Sequence, residues 1–154
     1  ISFTLTPLDQ PSNSALYVQG PVLGAQTGAA VPAGYLAETS SSVGGFTVYA
    51  VNTPTTMTSL TLQPGVYMLI GQSIFGNNSI TGATGSIIAI GTTTNSFTGT
   101  TQGLSRLDGV AYQAMTLVHY VTVTSPTTYY LVVQTSATSG NAQNIWGLRS
   151  IRLN

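Results

Sequence analysis

Apolar and polar residues alternate with a period of two along most of this 154-residue chain, and Gly, Pro and Asn separate the alternating segments. A period of two places successive side chains on opposite faces of a strand, whereas a helix requires a period of 3.6. The pattern therefore predicts many short strands and no long helix. Candidate strands cover residues 35–39, 45–51, 57–62, 66–75, 86–90, 116–124, 129–134 and 145–153.

The first part of the chain lacks this pattern. Residues 1–34 contain four prolines and four glycines, which interrupt any regular strand pairing. We therefore predict an extended arm or connector with short strands over residues 1–34 and one β-domain over residues 35–154.

The faces of the candidate strands indicate how they pack. Segments 66–75 and 86–90 are apolar on both faces, which predicts strands that are covered on both sides. Residues 91–109 are rich in Thr, Asn and Gly and are predicted to be an irregular excursion. About eight short strands without helices predict an all-β fold, an antiparallel two-sheet sandwich of the jelly-roll type.

Charged residues make up only 4% of the chain, against about a quarter in an ordinary soluble domain. They are three arginines and three acidic residues, so the net charge is zero and no basic surface is available for phosphate groups. Cysteine is absent, which excludes disulfides and thiol chemistry. No apolar run is long enough to span a bilayer. We therefore expect neither a nucleic-acid partner nor membrane insertion.

Side chains that could carry catalysis are few. His119 and Asp108 could join a serine nucleophile, but the chain has no Gly-x-Ser-x-Gly motif. Glu38 and Asp108 form the remaining candidate pair for glycoside hydrolysis, yet pairing with arginines is the more ordinary role for them. A metal site needs three or four ligands, which one His and three scattered carboxylates supply poorly. We expect no enzymatic activity, no metal and no cofactor.

Two groups of residues are candidates for binding. Loops on a rigid scaffold usually carry recognition, and amides in the predicted loops are the first group: Asn77, Asn78, Asn95, Gln102, Asn141 and Asn144. The second group consists of aromatic side chains on predicted strands, for which a role in the core or in a subunit interface is favoured. Its members, which we predict in a trimer interface or in the core, are His119, Tyr129, Tyr130 and Trp146.

Four segments carry a family resemblance. They are Ala33-Gly34-Tyr35-Leu36-Ala37-Glu38, Thr58-Ser59-Leu60-Thr61-Leu62-Gln63-Pro64-Gly65-Val66-Tyr67-Met68, Thr127-Thr128-Tyr129-Tyr130-Leu131-Val132-Val133-Gln134 and Trp146-Gly147-Leu148-Arg149-Ser150-Ile151-Arg152. Together they resemble a recurrent domain of tailed-bacteriophage virion proteins of the tail-fibre or structural type. Tyr67 stands where that family commonly has Trp.

The resemblance implies a trimeric jelly roll similar to complement globular heads and tumour-necrosis-factor ligands. It therefore implies a homotrimer located in the virion, an extracellular particle, with other virion proteins as partners. A homotrimer would also account for strands that are apolar on both faces.

Two functions follow from the resemblance. The first is the receptor-binding (adhesin) domain of a tail fibre or spike, with host-surface polysaccharide as its ligand. The alternative is a capsid decoration or cement protein that binds the head lattice. A depolymerase or glycosidase is disfavoured because carboxylates are scarce.

Overall fold

The computed structural model describes residues 39–76, 80–105 and 112–153. These residues form eight strands and no helix, and therefore no helix that could cross a membrane. The strands are β1 (Thr39–Ala50), β2 (Thr55–Leu62), β3 (Gly65–Gly76), β4 (Gly85–Gly91), β5 (Thr101–Ser105), β6 (Tyr112–Val123), β7 (Thr127–Ser136) and β8 (Asn141–Arg152).

The strands form two antiparallel sheets of four strands each. Sheet A has the order β1-β8-β3-β6, and sheet B has the order β2-β7-β4-β5. The pairs β1 with β8, β2 with β7, β3 with β6 and β4 with β5 are nested along the chain, and successive pairs alternate between the sheets. This nesting defines a jelly-roll sandwich, so the predicted all-β fold class is confirmed.

The hydrophobic core lies between the facing sides of the two sheets. Leu69 and Leu148 from sheet A meet Ile88, Ile90 and Leu131 from sheet B in one cluster, and none of these side chains is exposed. Each side chain of this kind contributes about 1.5–3 kcal/mol when it is fully buried. The core is therefore built from every second residue of the strands, as the two-residue period predicts.

Several strands differ from the sequence prediction, and β6 begins at Tyr112 rather than 116. β1 runs through the serines at 40–42, between two predicted strands, because it pairs with β8 along its length around a bulge between Gly44 and Thr47. β5 lies inside the predicted irregular excursion over 91–109, where a short edge strand with few apolar residues has no clear pattern. β8 begins at Asn141 rather than 145 because its first residues pair with the end of β1.

A single copy of the chain covers β3 on one side only, so the prediction that residues 66–75 are covered on both sides stays a prediction that depends on neighbouring copies. The inner face of β3 is buried, but on its outer face Gln72 and Ile74 are exposed and Met68 and Ile70 are only partly buried. The prediction holds better for β4, where Ala89 points away from the core and is still fully buried.

The predicted arm over 1–34 and the first residues of the predicted domain lie outside the described residues. The boundary between residues 34 and 35 therefore stays a prediction.

Candidate functional site

The predicted loop amides divide between a surface loop, a strand and the core, and Asn77 and Asn78 lie outside the described residues. Asn95 lies in the loop between β4 and β5, in the left-handed region with φ of 49°. Its Oδ1 accepts a hydrogen bond from the Thr56 backbone N–H at 2.8 Å, and its own N–H donates to Thr56 Oγ1 at 2.8 Å. Asn95 therefore fastens its loop to β2.

This attachment carries the β4–β5 loop across the outer face of sheet B. The loop starts at β4, and to reach β2 it must pass β7, which lies between them. Ala89 and Val132 are on that outer face and are fully buried. Gln102 is on β5 rather than in a loop, and its Nε2 donates to the Phe97 carbonyl at 3.1 Å. The amides of the loop region thus hold the loop against the sheet.

Asn144 does not lie in a loop, so its predicted placement is wrong. It is a fully buried residue of β8, and its Oδ1 accepts a hydrogen bond from Ser73 Oγ at 2.8 Å. The pairing of β8 with β1 and β3 extends the strand to Asn141, and the alternation then turns Asn144 inward. Asn141 is the exposed first residue of the same strand.

Asn144 belongs to a polar layer inside the sandwich that the sequence analysis missed. The Tyr49 hydroxyl lies 2.8 Å from Thr135 Oγ1, which is 3.4 Å from Ser86 Oγ. Burial raises the pKa of Tyr49 to about 12, although its hydrogen bond with Thr135 acts in the opposite direction. These groups therefore stay neutral and join the sheets. Their inward orientation becomes visible only once the strand register is known.

His119 lies on the inner face of β6 and is partly buried. Its Nδ1 is 2.8 Å from Thr101 Oγ1 on β5, so this contact joins the free edges of the two sheets. Its ring centroid lies 6.4 Å from that of Tyr129, and burial lowers the pKa of His119.

The three acidic residues of the chain all lie outside the described residues. The carboxylate pair that the sequence suggested for glycoside hydrolysis, Glu38 with Asp108, therefore lies outside them too.

The predicted aromatic residues lie on different sides of the sandwich. Tyr129 and Trp146 pack against the core cluster from the inner faces of β7 and β8, and burial raises the pKa of Tyr129. Trp146 Nε1 donates to Thr47 Oγ1 at 3.0 Å. Tyr130 is partly buried on the outer face of sheet B, in register with Ser59. Their predicted role in a trimer interface is not tested by one chain.

A cleft of about 390 Å³ opens on the outer face of sheet A. Gly147 lies in register between Val43 and Gln72, and its missing side chain leaves a depression there. The outward-pointing residues that line the cleft are Val43, Gln72, Ile74, Ala114, Thr116, Ile145, Gly147 and Arg149. The lining is therefore mostly apolar, with two uncharged polar side chains and one cation.

The described residues contain no cluster of three or more metal-ligating side chains. They show one histidine held by a threonine hydroxyl, an internal layer of neutral polar groups and one apolar cleft. The histidine contact and the polar layer are suited to holding the two sheets together, and the cleft is suited to binding a side chain or a small molecule.

The eight nested strands place this chain in the class of jelly-roll sandwiches, and solved structures of viral particles have a similar fold. The T13 particle of infectious bursal disease virus matches with a TM-score of 0.53 and 12% identity, over 75% of this chain and 31% of that chain. The Gx strain of the same virus matches with a TM-score of 0.50 and 14% identity, over 86% and 37%. T=1 particles derived from infectious bursal virus match with a TM-score of 0.50 and 13% identity, over 75% and 32%.

This chain spans about a third of the length of those matched chains. At such low identity the likeness shows the fold alone. No protein-family profile and no curated protein matches the sequence.

Proposed function

We propose that this chain is a structural, non-enzymatic virion protein that forms part of the particle surface. The observation that carries the proposal is the nested eight-strand jelly roll, which is similar to chains of viral particles. That likeness is consistent with the virion location expected from the sequence. The scarcity of charge also suits a rigid assembly, because the interior of the described sandwich is held by packing and by hydrogen bonds between uncharged groups.

The non-enzymatic part of the proposal is supported by the surroundings of His119. A general base needs a nucleophile or a substrate proton within reach and usually a third group that orients it. The described partner of His119 is the Thr101 hydroxyl of a neighbouring strand, which serves to join the sheets.

Two finer roles are open, and the loop amides help to choose between them. Asn95 and Gln102 use their side chains to hold the β4–β5 loop, and Asn144 is buried. Three of the six amides suggested for glycan binding therefore have internal roles. We propose a role in the capsid shell or as its decoration first, and a tail-fibre adhesin that recognises host polysaccharide as the alternative.

The number of copies per particle tests the proposal. Quantitative mass spectrometry of purified virions should find this chain in hundreds of copies if it belongs to the shell. A few copies per particle, together with adsorption that is blocked by the purified chain, would instead support the adhesin. Absence of the chain from purified particles would refute any virion role.

A further inference from the structure

The outer face of sheet A exposes an unusual amount of apolar surface. This face consists of the side chains of β1, β8, β3 and β6 that point away from the core. Seven of its hydrophobic side chains are between 42% and 65% exposed. They are Val43, Phe46, Val48, Ile74, Tyr112, Val118 and Tyr120.

The two sheets differ in how their outer faces are covered. On sheet B the β4–β5 loop crosses the strands, and the outward-pointing Ala89 and Val132 are fully buried. On sheet A the outward-pointing Val118 and Tyr120 remain exposed on the edge strand β6, and Ile74 remains exposed on the interior strand β3. Among the described residues, the β4–β5 loop therefore crosses the outer face of sheet B, whereas the hydrophobic side chains named above stay exposed on sheet A.

The exposed apolar area matches what a stable interface requires. With a full area of roughly 200 Å² for each of the three aromatic residues and about 150 Å² for each aliphatic one, the seven residues together expose on the order of 700 Å². A specific interface buries roughly 800 Å² on each partner, whereas the largest patch on a typical monomer is about 300–600 Å². The outer face of sheet A is thus about the size of one half of an interface.

The charge on this face identifies the kind of partner that fits. Arg149 is the single charged side chain that the described residues place there, since Arg152 points inward onto the Tyr67 ring. The chain has no net charge, so two copies do not repel each other at long range. Arg149 lines the cleft, and a guanidinium stacks favourably on an aromatic ring. The same face presents Tyr112, Tyr120 and Phe46 for that purpose.

We propose that the outer face of sheet A binds a second copy of this chain, with an aromatic side chain of one copy seated in the cleft beside Arg149 of the other. Tyr120 is the leading candidate for this anchor, because Tyr and Arg dominate the binding energy of many interfaces. This interface rests on the proposed virion role, because a particle built from repeated copies of a chain requires contacts between those copies.

Self-association of matched variants tests the interface. The full chain should sediment as an oligomer, and Tyr120→Glu should weaken association by about tenfold or more, the effect of a hot-spot side chain. Leu104→Glu is the control, because Leu104 is 73% exposed but lies on sheet B. It should associate like the unmodified chain. Far-ultraviolet circular dichroism verifies that each variant is folded.

Single cysteines give a second measurement, because the chain has none of its own. A maleimide should label Leu104→Cys quickly. It should label Tyr120→Cys slowly in the oligomer and faster on dilution, as the copies separate. This readout does not depend on the folding of Tyr120→Glu.

Several results would overturn the proposal. The first is that the full chain is monomeric at all concentrations. The second is that Tyr120→Glu leaves the oligomer intact, and the third is that Leu104→Glu dissociates the oligomer as much as Tyr120→Glu does. Slow labelling of Tyr120→Cys in a monomer would show that another part of the chain covers the face, and would also overturn it. These experiments use the purified chain, so they can fail while the copy number in particles still supports the virion role, and the reverse.

Discussion

The hydrogen bond between Ser73 and Asn144 joins β3 and β8 inside the sandwich, and both residues are fully buried. Asn144→Ala would leave the Ser73 hydroxyl without its acceptor in a place that water does not reach. We expect a loss of about 1–3 kcal/mol in the free energy of unfolding, measured by urea denaturation.

Asn141→Ala is the matched control for Asn144→Ala because it changes an exposed asparagine at the start of the same strand. It should alter the free energy of unfolding by less than about 0.5 kcal/mol. Equal losses in the two variants would show that the hydrogen bond with Ser73 contributes nothing special.

His119 makes folding sensitive to pH. Burial lowers its pKa in the folded state, so the unfolded chain binds the proton more tightly. Stability is therefore fully present above the unfolded pKa of about 6.5 and falls as the pH decreases below that value. We expect a lower melting temperature at about pH 5.5 than at about pH 7.5, by differential scanning calorimetry.

His119→Gln should remove this difference, because glutamine does not titrate. Measurements stay above about pH 5.5 so that carboxylates, which titrate near pH 4, do not contribute. An unchanged pH dependence in His119→Gln would assign the effect to another group.

The β1 strand depends on a glycine beneath an indole ring. A Cβ atom at Gly44 would overlap the six-membered ring of Trp146, whereas a Cβ atom at Gly45 would meet no atom within 4 Å. Gly44→Ala should therefore displace the ring and destabilise the fold by about 1–3 kcal/mol. Gly45→Ala, at the next residue in the bulge, is the control and should be nearly neutral.

Fluorescence can follow both glycine variants because Trp146 is the single tryptophan of the chain. Gly44→Ala should shift its emission to longer wavelength as the ring becomes more exposed, and thermal unfolding gives the change in stability. An identical response from Gly45→Ala would contradict the steric explanation.

The sandwich as a whole should respond weakly to salt, because charged side chains make up only 4% of the chain. Arg152 also donates hydrogen bonds to uncharged groups, the Tyr67 hydroxyl at 3.1 Å and the Pro64 carbonyl at 2.7 Å. Raising NaCl from about 0.1 to about 1 M shortens the screening length from about 10 to about 3 Å. We expect the melting temperature to change by no more than about 2 °C.

A large fall of the melting temperature in salt would mean that ion pairs stabilise the fold. The candidates are the pairs suggested by the sequence, in which Glu38 or Asp108 faces an arginine. The chain with Glu38→Gln would then show a smaller salt effect than the unmodified chain.

The sequence by itself determined most of the strands and the two-layer fold, because a two-residue alternation around turn residues permits few other solutions. It also placed Leu69, Ile88 and Leu131 in strands with an apolar side that must be buried. These features depend only on residues that are near each other in the chain.

The tertiary structure decided the features that depend on which strands pair with each other within a sheet. Pairing with β8 joins the two segments predicted on either side of Ser40–Ser42 into the single strand β1. The same pairing directs the Asn144 side chain into the core. The Asn95–Thr56 contact, between residues 39 positions apart, placed the β4–β5 loop over sheet B. The strand register and the path of the loop depend on contacts between residues that are far apart in the chain. A single sequence does not reveal these contacts, because the same strand can pair with several different partner strands or registers.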